Sequence, residues 1–312
     1  MLKIKNLTLY LMLLLVSAVT FTACDGDNLD IDDDTTITEF VASESRFSTL
    51  TAALERTGLT SVLDGEDKYT VFAPNDAAFN ALGINLDDLS DDDLRNVLLQ
   101  HVVFDKQIGD LTITFENRYF TSEATGPNGA KLSILLKDEG DDLMVNGVRV
   151  ISDDEIDVEN GVIYEIGQVL LPKNLVEMAL IDEDLSELVA ALGKADGDLV
   201  NVLSSADDNF TVFAPENDAF EDIMETVNGL TTEQLATVLT YHVVAGNFQS
   251  TDLTDEQIVT TVNGETIALE IDGDDVTIRD AEDNEVEVKI ANVQTTNGVI
   301  HIIKEVLMPS SL

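Results

Sequence analysis

A ten-residue block recurs in this chain with seven positions identical, and that duplication fixes what it can fold into. Thr70 to Phe79 reads Thr-Val-Phe-Ala-Pro-Asn-Asp-Ala-Ala-Phe, and Thr211 to Phe220 reads Thr-Val-Phe-Ala-Pro-Glu-Asn-Asp-Ala-Phe. Each copy is followed by a helical run that ends in a histidine, His101-Val102-Val103 and then His242-Val243-Val244. Each half closes on Asn-Gly-Val-Ile, at Asn160-Gly161-Val162-Ile163-Tyr164 and at Asn297-Gly298-Val299-Ile300-His301, with Pro172 and Pro309 in matching places. The first two pairs lie 141 positions apart and the last two 137. Ordered motifs at nearly one period define two tandem domains of one fold, each of common domain size.

These three blocks, with Pro74 and Pro215 inside the first, resemble the fasciclin domain family over roughly residues 36 to 310. The resemblance implies an α+β fold for each domain, a β-sheet wedge or sandwich with helices packed on it. It also implies a general role in adhesion and names no ligand. The expected organisation is a signal peptide over 1–23, an acidic tether over 24–35, domain 1 over 36–172 and domain 2 over 174–310. The joint from Leu171 to Asn174 is so short that the two domains are expected to touch.

The front of the chain reads as an export signal. Lys3 and Lys5 precede an apolar stretch from Leu7 to Val19, broken only by Thr8, Tyr10 and Ser17, and the run stops at Cys24. Asn6 to Ala23 carries no charge, so an uncleaved membrane helix and simple secretion are the alternatives. Phe21-Thr22-Ala23-Cys24 resembles a bacterial lipoprotein box, with Phe21 where leucine is usual. That resemblance implies acylation of Cys24 and stable anchoring by several chains in a bacterial envelope membrane, on its periplasmic or outward face. Cys24 is the only cysteine, so no disulfide within the chain is expected and packing must stabilise both domains.

Charge narrows the partners. Sixteen Lys and Arg face 61 Asp and Glu, a formal net charge of −45. Such a surface repels nucleic acid and anionic headgroups and favours a soluble, salt-tolerant state. It could recruit loosely bound Ca²⁺, the one ion expected here; no other cofactor is. Asp30, Asp32 and Asp34 begin like a calcium loop, but Thr35 stands where glycine is required and Val41 where glutamate is.

Local patterns place the motifs. Phe47, Leu50, Thr51 and Leu54 share a helical face, as do Leu185, Leu188, Val189 and Leu192. Pro74 and Pro215 end a buried strand, and Asn75, Asp76 and Asn217 offer oxygens to cap the helix that follows. Ser90 to Asp93 and Thr231 to Gln234 read as capping boxes before the helices that carry His101 and His242. Leu143, Val145, Val148 and Val150 alternate across Asn146-Gly147, and Val286, Val288 and Ile290 alternate in the second half. Asn128-Gly129, Asn263-Gly264 and Asp272-Gly273 are further turn signals.

Three histidines exhaust the obvious chemistry. His101 and His242 close apolar helical faces, which favours half-buried rings that bond backbone over a proton-transfer or metal role. Neither has a second histidine or a cysteine near it in sequence, so no zinc site is expected. His301 is matched by Tyr164, and one hydrogen bond from a strand is a job both rings can do. Asn160-Gly161 and Asn297-Gly298 read as tight turns that feed a core strand, with glycine supplying positive φ. The family resemblance links the histidine helix to adhesive contacts, which points to Tyr241 and His242, and to His101 where Gln100 replaces the tyrosine. No Gly-x-Ser-x-Gly, His-Glu-x-x-His or phosphate-binding glycine loop is present.

The expectation is a non-enzymatic, lipid-anchored envelope protein whose two domains make weak multivalent contacts with matrix, glycan or protein ligands. An accessory subunit beside an outer-membrane nutrient transporter is the alternative, and a hydrolase using His242 comes third.

Overall fold

The computed structural model describes residues 34–83, 86–104, 114, 118–140, 142–152, 155–221, 223–273 and 275–312. Cys24, the signal region and most of the acidic tether lie outside them. Among the described residues no helix is long and apolar enough to cross a membrane.

Domain 1 runs α1 (Ile37–Ser43), α2 (Ser48–Thr57), α3 (Thr60–Leu63), β1 (Tyr69–Pro74), α4 (Asp76–Ala81), α5 (Asp91–Leu99), then β2 (Val102–Phe104), β3 (Tyr119–Thr125), β4 (Lys131–Asp138), β5 (Leu143–Val145), β6 (Val148–Arg149), β7 (Ile156–Val158) and β8 (Gly161–Ile166). Domain 2 repeats the order with α6 (Leu175–Ile181), α7 (Ser186–Lys194), α8 (Leu199–Leu203), β9 (Phe210–Pro215), α9 (Asp218–Glu221), α10 (Met224–Gly229), α11 (Thr232–Tyr241), β10 (Val243–Ala245), β11 (Gln257–Thr260), β12 (Thr266–Asp272), β13 (Asp275–Arg279), β14 (Glu285–Thr295) and β15 (Gly298–Ile303).

Both sheets curl, and they open at different seams. Domain 1 runs β6-β5-β4-β3-β2-β1-β8-β7, and domain 2 runs β10-β9-β15-β14-β13-β12-β11. In both, the Thr-Val-Phe-Ala-Pro strand pairs in parallel with the last strand, Tyr69 opposite Gly161 and Phe210 opposite Gly298. Domain 1 curls until Val150 bridges Ile166. In domain 2 the N–H of Val262 reaches the carbonyl of Val243 at 2.7 Å across the seam. Parallel pairing leaves both faces of these strands covered, which is why β1 and β15 are buried at every position.

Turn chemistry follows the sequence in part. Asn128-Gly129 and Asn146-Gly147 have positive φ at both residues, as primed hairpin turns require. Thr231 and Gln234 form the complete capping box, whereas Asp93 is one methylene shorter than glutamate and bonds the Ser90 hydroxyl instead of its amide. Asn217 does not cap the helix after Pro215. Its side-chain oxygen accepts the N–H of Glu187 and so caps α7, the job that Asp76 does for Thr49.

Each domain has a sheet-side core, built on Phe72, Val103, Ile134 and Val162 in domain 1 and on Phe213, Val244, Ile267 and Ile278 in domain 2. Fully burying one such side chain contributes roughly 1.5–3 kcal/mol. The helix-side core of domain 2 also takes in Leu135 from β4 of domain 1. The expected contact between the domains is therefore made, and the N–H of Gln294 on β14 donates to the Ser133 hydroxyl on β4 at 2.9 Å.

Candidate functional site

The motif histidines sit at the C-terminal ends of α5 and α11, one turn past Val97 and Val238. Nδ1 of His101 lies 2.8 Å from the carbonyl of Val97, and Nε2 accepts the N–H of Leu170 at 2.8 Å. His242 repeats this with the carbonyl of Val238 at 2.8 Å and the N–H of Leu307 at 2.9 Å. A backbone N–H can only donate, so Nε2 is bare and the proton sits on Nδ1. Both rings are buried, and that burial pushes their pKa down to about 4. Each imidazole is thus a neutral cross-link between a helix end and the segment leading to Pro172 or Pro309.

His301 takes the opposite tautomer. Its Nδ1 accepts the N–H of Asn292 at 3.4 Å, and Nε2 donates to the carbonyl of Phe248 at 3.0 Å. The ring stacks on Phe213 with centroids 5.6 Å apart, as Tyr164 stacks on Phe72 at 5.7 Å. The Tyr164 hydroxyl donates to Glu155 at 2.7 Å. An aromatic plate with one polar tip serves both domains. Burial lowers the His301 pKa as well.

Tyr241, His242 and His101, the residues expected to mark the adhesive region, are not surface groups. All three are buried, and the Tyr241 hydroxyl donates to the carbonyl of Thr266 at 2.9 Å. In domain 1 the matching Gln100 donates to the carbonyl of Ser133 at 3.1 Å. Tyrosine and glutamine do one job, tying the helix end to the facing hairpin. An apolar helical face has to point inward, and the last residues of that face go with it.

Asn160 and Asn297 tie three segments together. Oδ1 of Asn160 accepts the N–H of Ile37 at 2.8 Å, and Nδ2 donates to the carbonyls of Leu63 and Gly65. Asn297 does the same with Leu175, Leu203 and Ser205. The following glycines supply the positive φ expected of them, each just past a two-residue turn that feeds the last strand. Gly161 and Gly298 have φ of 151° and 155°, and a Cβ on either would collide with the carbonyl of Tyr69 or Phe210 on the parallel neighbour. Close approach of two strands, added to the positive φ past each turn, requires glycine here.

The space beside His242 is small. A cleft of about 40 Å³ touches its ring, with Leu188, Phe210 and Leu239 inside and Val202 and Val262 at the rim. Small-molecule sites usually span about 300–1,000 Å³. Val202 and Val262 are 45% and 48% exposed, so they are what solvent meets over the histidine helix. A wider groove of about 560 Å³ lies along Asp255, Glu256, Glu270, Asp272 and Asp275. Glu270 there pairs with Arg279, and Asp255 accepts the N–H of Ile271. Among the described residues no three His, Cys, Asp or Glu side chains converge as a metal site.

Sequence reasoning missed two capping boxes that open the domains, Thr36 with Glu39 and Asn174 with Glu177. The cap residue and the glutamate three positions on were the available signal.

The family model of the fasciclin domain matches this chain twice, over residues 45–172 and 183–309. Human periostin is 27% identical over 288 residues, which are 88% of this chain and 31% of periostin. The chain thus spans about a third of that relative, and 43% of a fasciclin-like arabinogalactan protein of Arthroderma benhamiae that is 30% identical over 60% of this chain. An uncharacterized Synechocystis protein, sll1735, is 40% identical over 139 residues, 43% of this chain and 97% of its own length. Among solved structures, a domain pair from the insect cell adhesion molecule fasciclin I shares the fold, with a TM-score of 0.53 and 18% identity over 84% of this chain and 97% of that one. Two matched copies of one motif series, folded as a pair of curled sheets with helices packed on them, place the chain in the fasciclin domain family.

Proposed function

We propose that this chain is a non-enzymatic adhesion or interaction protein of a bacterial cell envelope, anchored through acylated Cys24 and presenting two fasciclin domains to matrix, glycan or protein ligands. One observation carries the non-enzymatic part. Both ring nitrogens of His101, His242 and His301 are engaged with backbone groups in the interior. A general base needs a nitrogen within reach of substrate, and these are spent on the fold. Kinship with a domain pair of an insect cell adhesion molecule supports the adhesion part. Two weak contacts on one tether add through effective concentration, and many anchored copies multiply that gain. With a net charge of −45, Ca²⁺ acts as a diffuse bridge to anionic glycans.

The test uses intact cells that carry the chain or its Cys24→Ser variant. Surface protease should remove the wild type, the variant should leave the membrane fraction, and adhesion to polysaccharide should fall with chelator. Protection from protease would favour an internal accessory subunit. Ester or glycoside turnover lost in His242→Ala would overturn the non-enzymatic reading.

A further inference from the structure

The two domains treat one position differently. In domain 1 the residue after α1 is Glu44, half-buried, and Arg46 pairs with it at 2.6 Å while also reaching Glu165 at 3.0 Å. Both carboxylates thus find their cation within the domain. In domain 2 the matching residues are Asp182 and Asp184, so the cation has become a second acid. The partner at Glu165 is gone too, because Ile302 stands there. Asp182 is nonetheless only 3% exposed. A carboxylate that deep needs a counter-ion and hydrogen bonds.

Domain 1 provides both. Arg118, just ahead of β3, bonds Asp182 at 2.6 Å through one terminal nitrogen and Asp184 at 3.2 Å through the other. The Tyr119 hydroxyl donates to the same Asp182 oxygen, and the guanidinium lies 5.3 Å from the Tyr119 ring centre. Packing continues along the same pair of domain faces. Leu135 lies in the helix-side core of domain 2. Gly126 faces the carbonyl of Thr295 so closely that a Cβ would sit 2.9 Å from it. Lys137 adds a surface pair with Glu183 at 2.6 Å.

We infer that domain 1 supplies, through Arg118, the counter-ion that domain 2 lost at Asp184, and that this latch makes the two domains one rigid unit that unfolds as one. The asymmetry carries the inference. A flexible pair would need each domain to satisfy its own buried charge, as domain 1 does with Arg46. The consequence is a fixed spacing between the surfaces of the two domains, whatever those surfaces bind, so it stands apart from the adhesion reading.

The experiment uses the full chain. Calorimetry should show one transition, and NMR relaxation one tumbling time for both domains. Arg118→Gln should split the transition, with domain 2 melting first, and should give two tumbling times. Adding Asp184→Arg to that variant rebuilds the local pair of domain 1. It should return the domain 2 midpoint close to the wild-type value while tumbling stays split. If Arg118→Gln does not fold, Arg118→Gln with Asp182→Asn removes the stranded charge with its partner and should show the same split. One transition and one tumbling time in a folded Arg118 variant would overturn the inference, as would a failure of Asp184→Arg to restore domain 2.

Discussion

The N–H of Leu170 donates to Nε2 of His101 at 2.8 Å across 69 positions of chain, and Leu307 and His242 repeat the bond in the second domain. Protonating Nε2 would bury a cation and set donor against donor. With native values of about 4 against about 6.5 in the unfolded chain, the unfolded state binds more protons between those limits. The stabilisation from the neutral rings is therefore complete above about pH 6.5 and is lost as pH falls toward 4, about 3 kcal/mol for each ring at most. Urea midpoints should drop from pH 7 to pH 4.5. A His101→Gln, His242→Gln variant should start lower and lose much of that slope, and an unchanged slope would count against the rings as its source.

Gly161→Ala and Gly298→Ala should each destabilise by roughly 2–4 kcal/mol, because the parallel strand must move to admit the methyl group. Gly58→Ala is the contrast. It is left-handed at φ 69° with open space around it, so only the backbone term, roughly 1–2 kcal/mol, applies. Equal losses at Gly58 and Gly161 in denaturant titrations would remove the close-approach argument.

Asn160→Ala should cost about 3 kcal/mol, since the buried amide of Ile37 and two carbonyls lose their partner together. Asn160→Asp should cost more at pH 7, because a carboxylate oxygen would face the carbonyls of Leu63 and Gly65. Comparing the two variants by equilibrium unfolding separates a lost bond from a created repulsion.

Salt should stabilise the whole chain. At −45 the native surface repels itself, and the screening length falls from about 10 Å at 0.1 M to about 3 Å at 1 M. The melting temperature should rise between 0.05 and 1 M NaCl, by a similar amount in the Arg118→Gln, Asp182→Asn variant, because salt barely reaches that buried pair. A flat or falling curve would mean that local ion pairs outweigh the net field.

The duplication, the fold class and the burial of the strands at Phe72 and Phe213 were legible in the sequence because they rest on pattern. So was the match of Tyr164 with His301, since two rings in one register position share one task. The full burial of Tyr241 and His242 was not legible, because a motif gives adjacency along the chain and says nothing of which way a side chain points. The glycine roles were half legible. Asn146-Gly147 and Asn160-Gly161 both serve the turns that their letters announce, but Gly161 also answers to a neighbouring strand about ninety residues away, which no local pattern contains. Arg118 escaped notice because its partner lies in the other domain. The only trace was an acid at Asp184 where the repeat has Arg46.

Parallel pairing of the Thr-Val-Phe-Ala-Pro strand with the last strand has a mechanical consequence. Tension along the chain pulls β1 from its N-terminal end and β8 from its C-terminal end, which are opposite ends of the pair. The six paired positions from Tyr69 with Gly161 to Pro74 with Ile166 are loaded in shear together and cannot be unzipped singly. Domain 2 carries the same arrangement from Phe210 to Ile303, so a chain held at its front and tugged through either domain meets its strongest resistance at the motif that repeats.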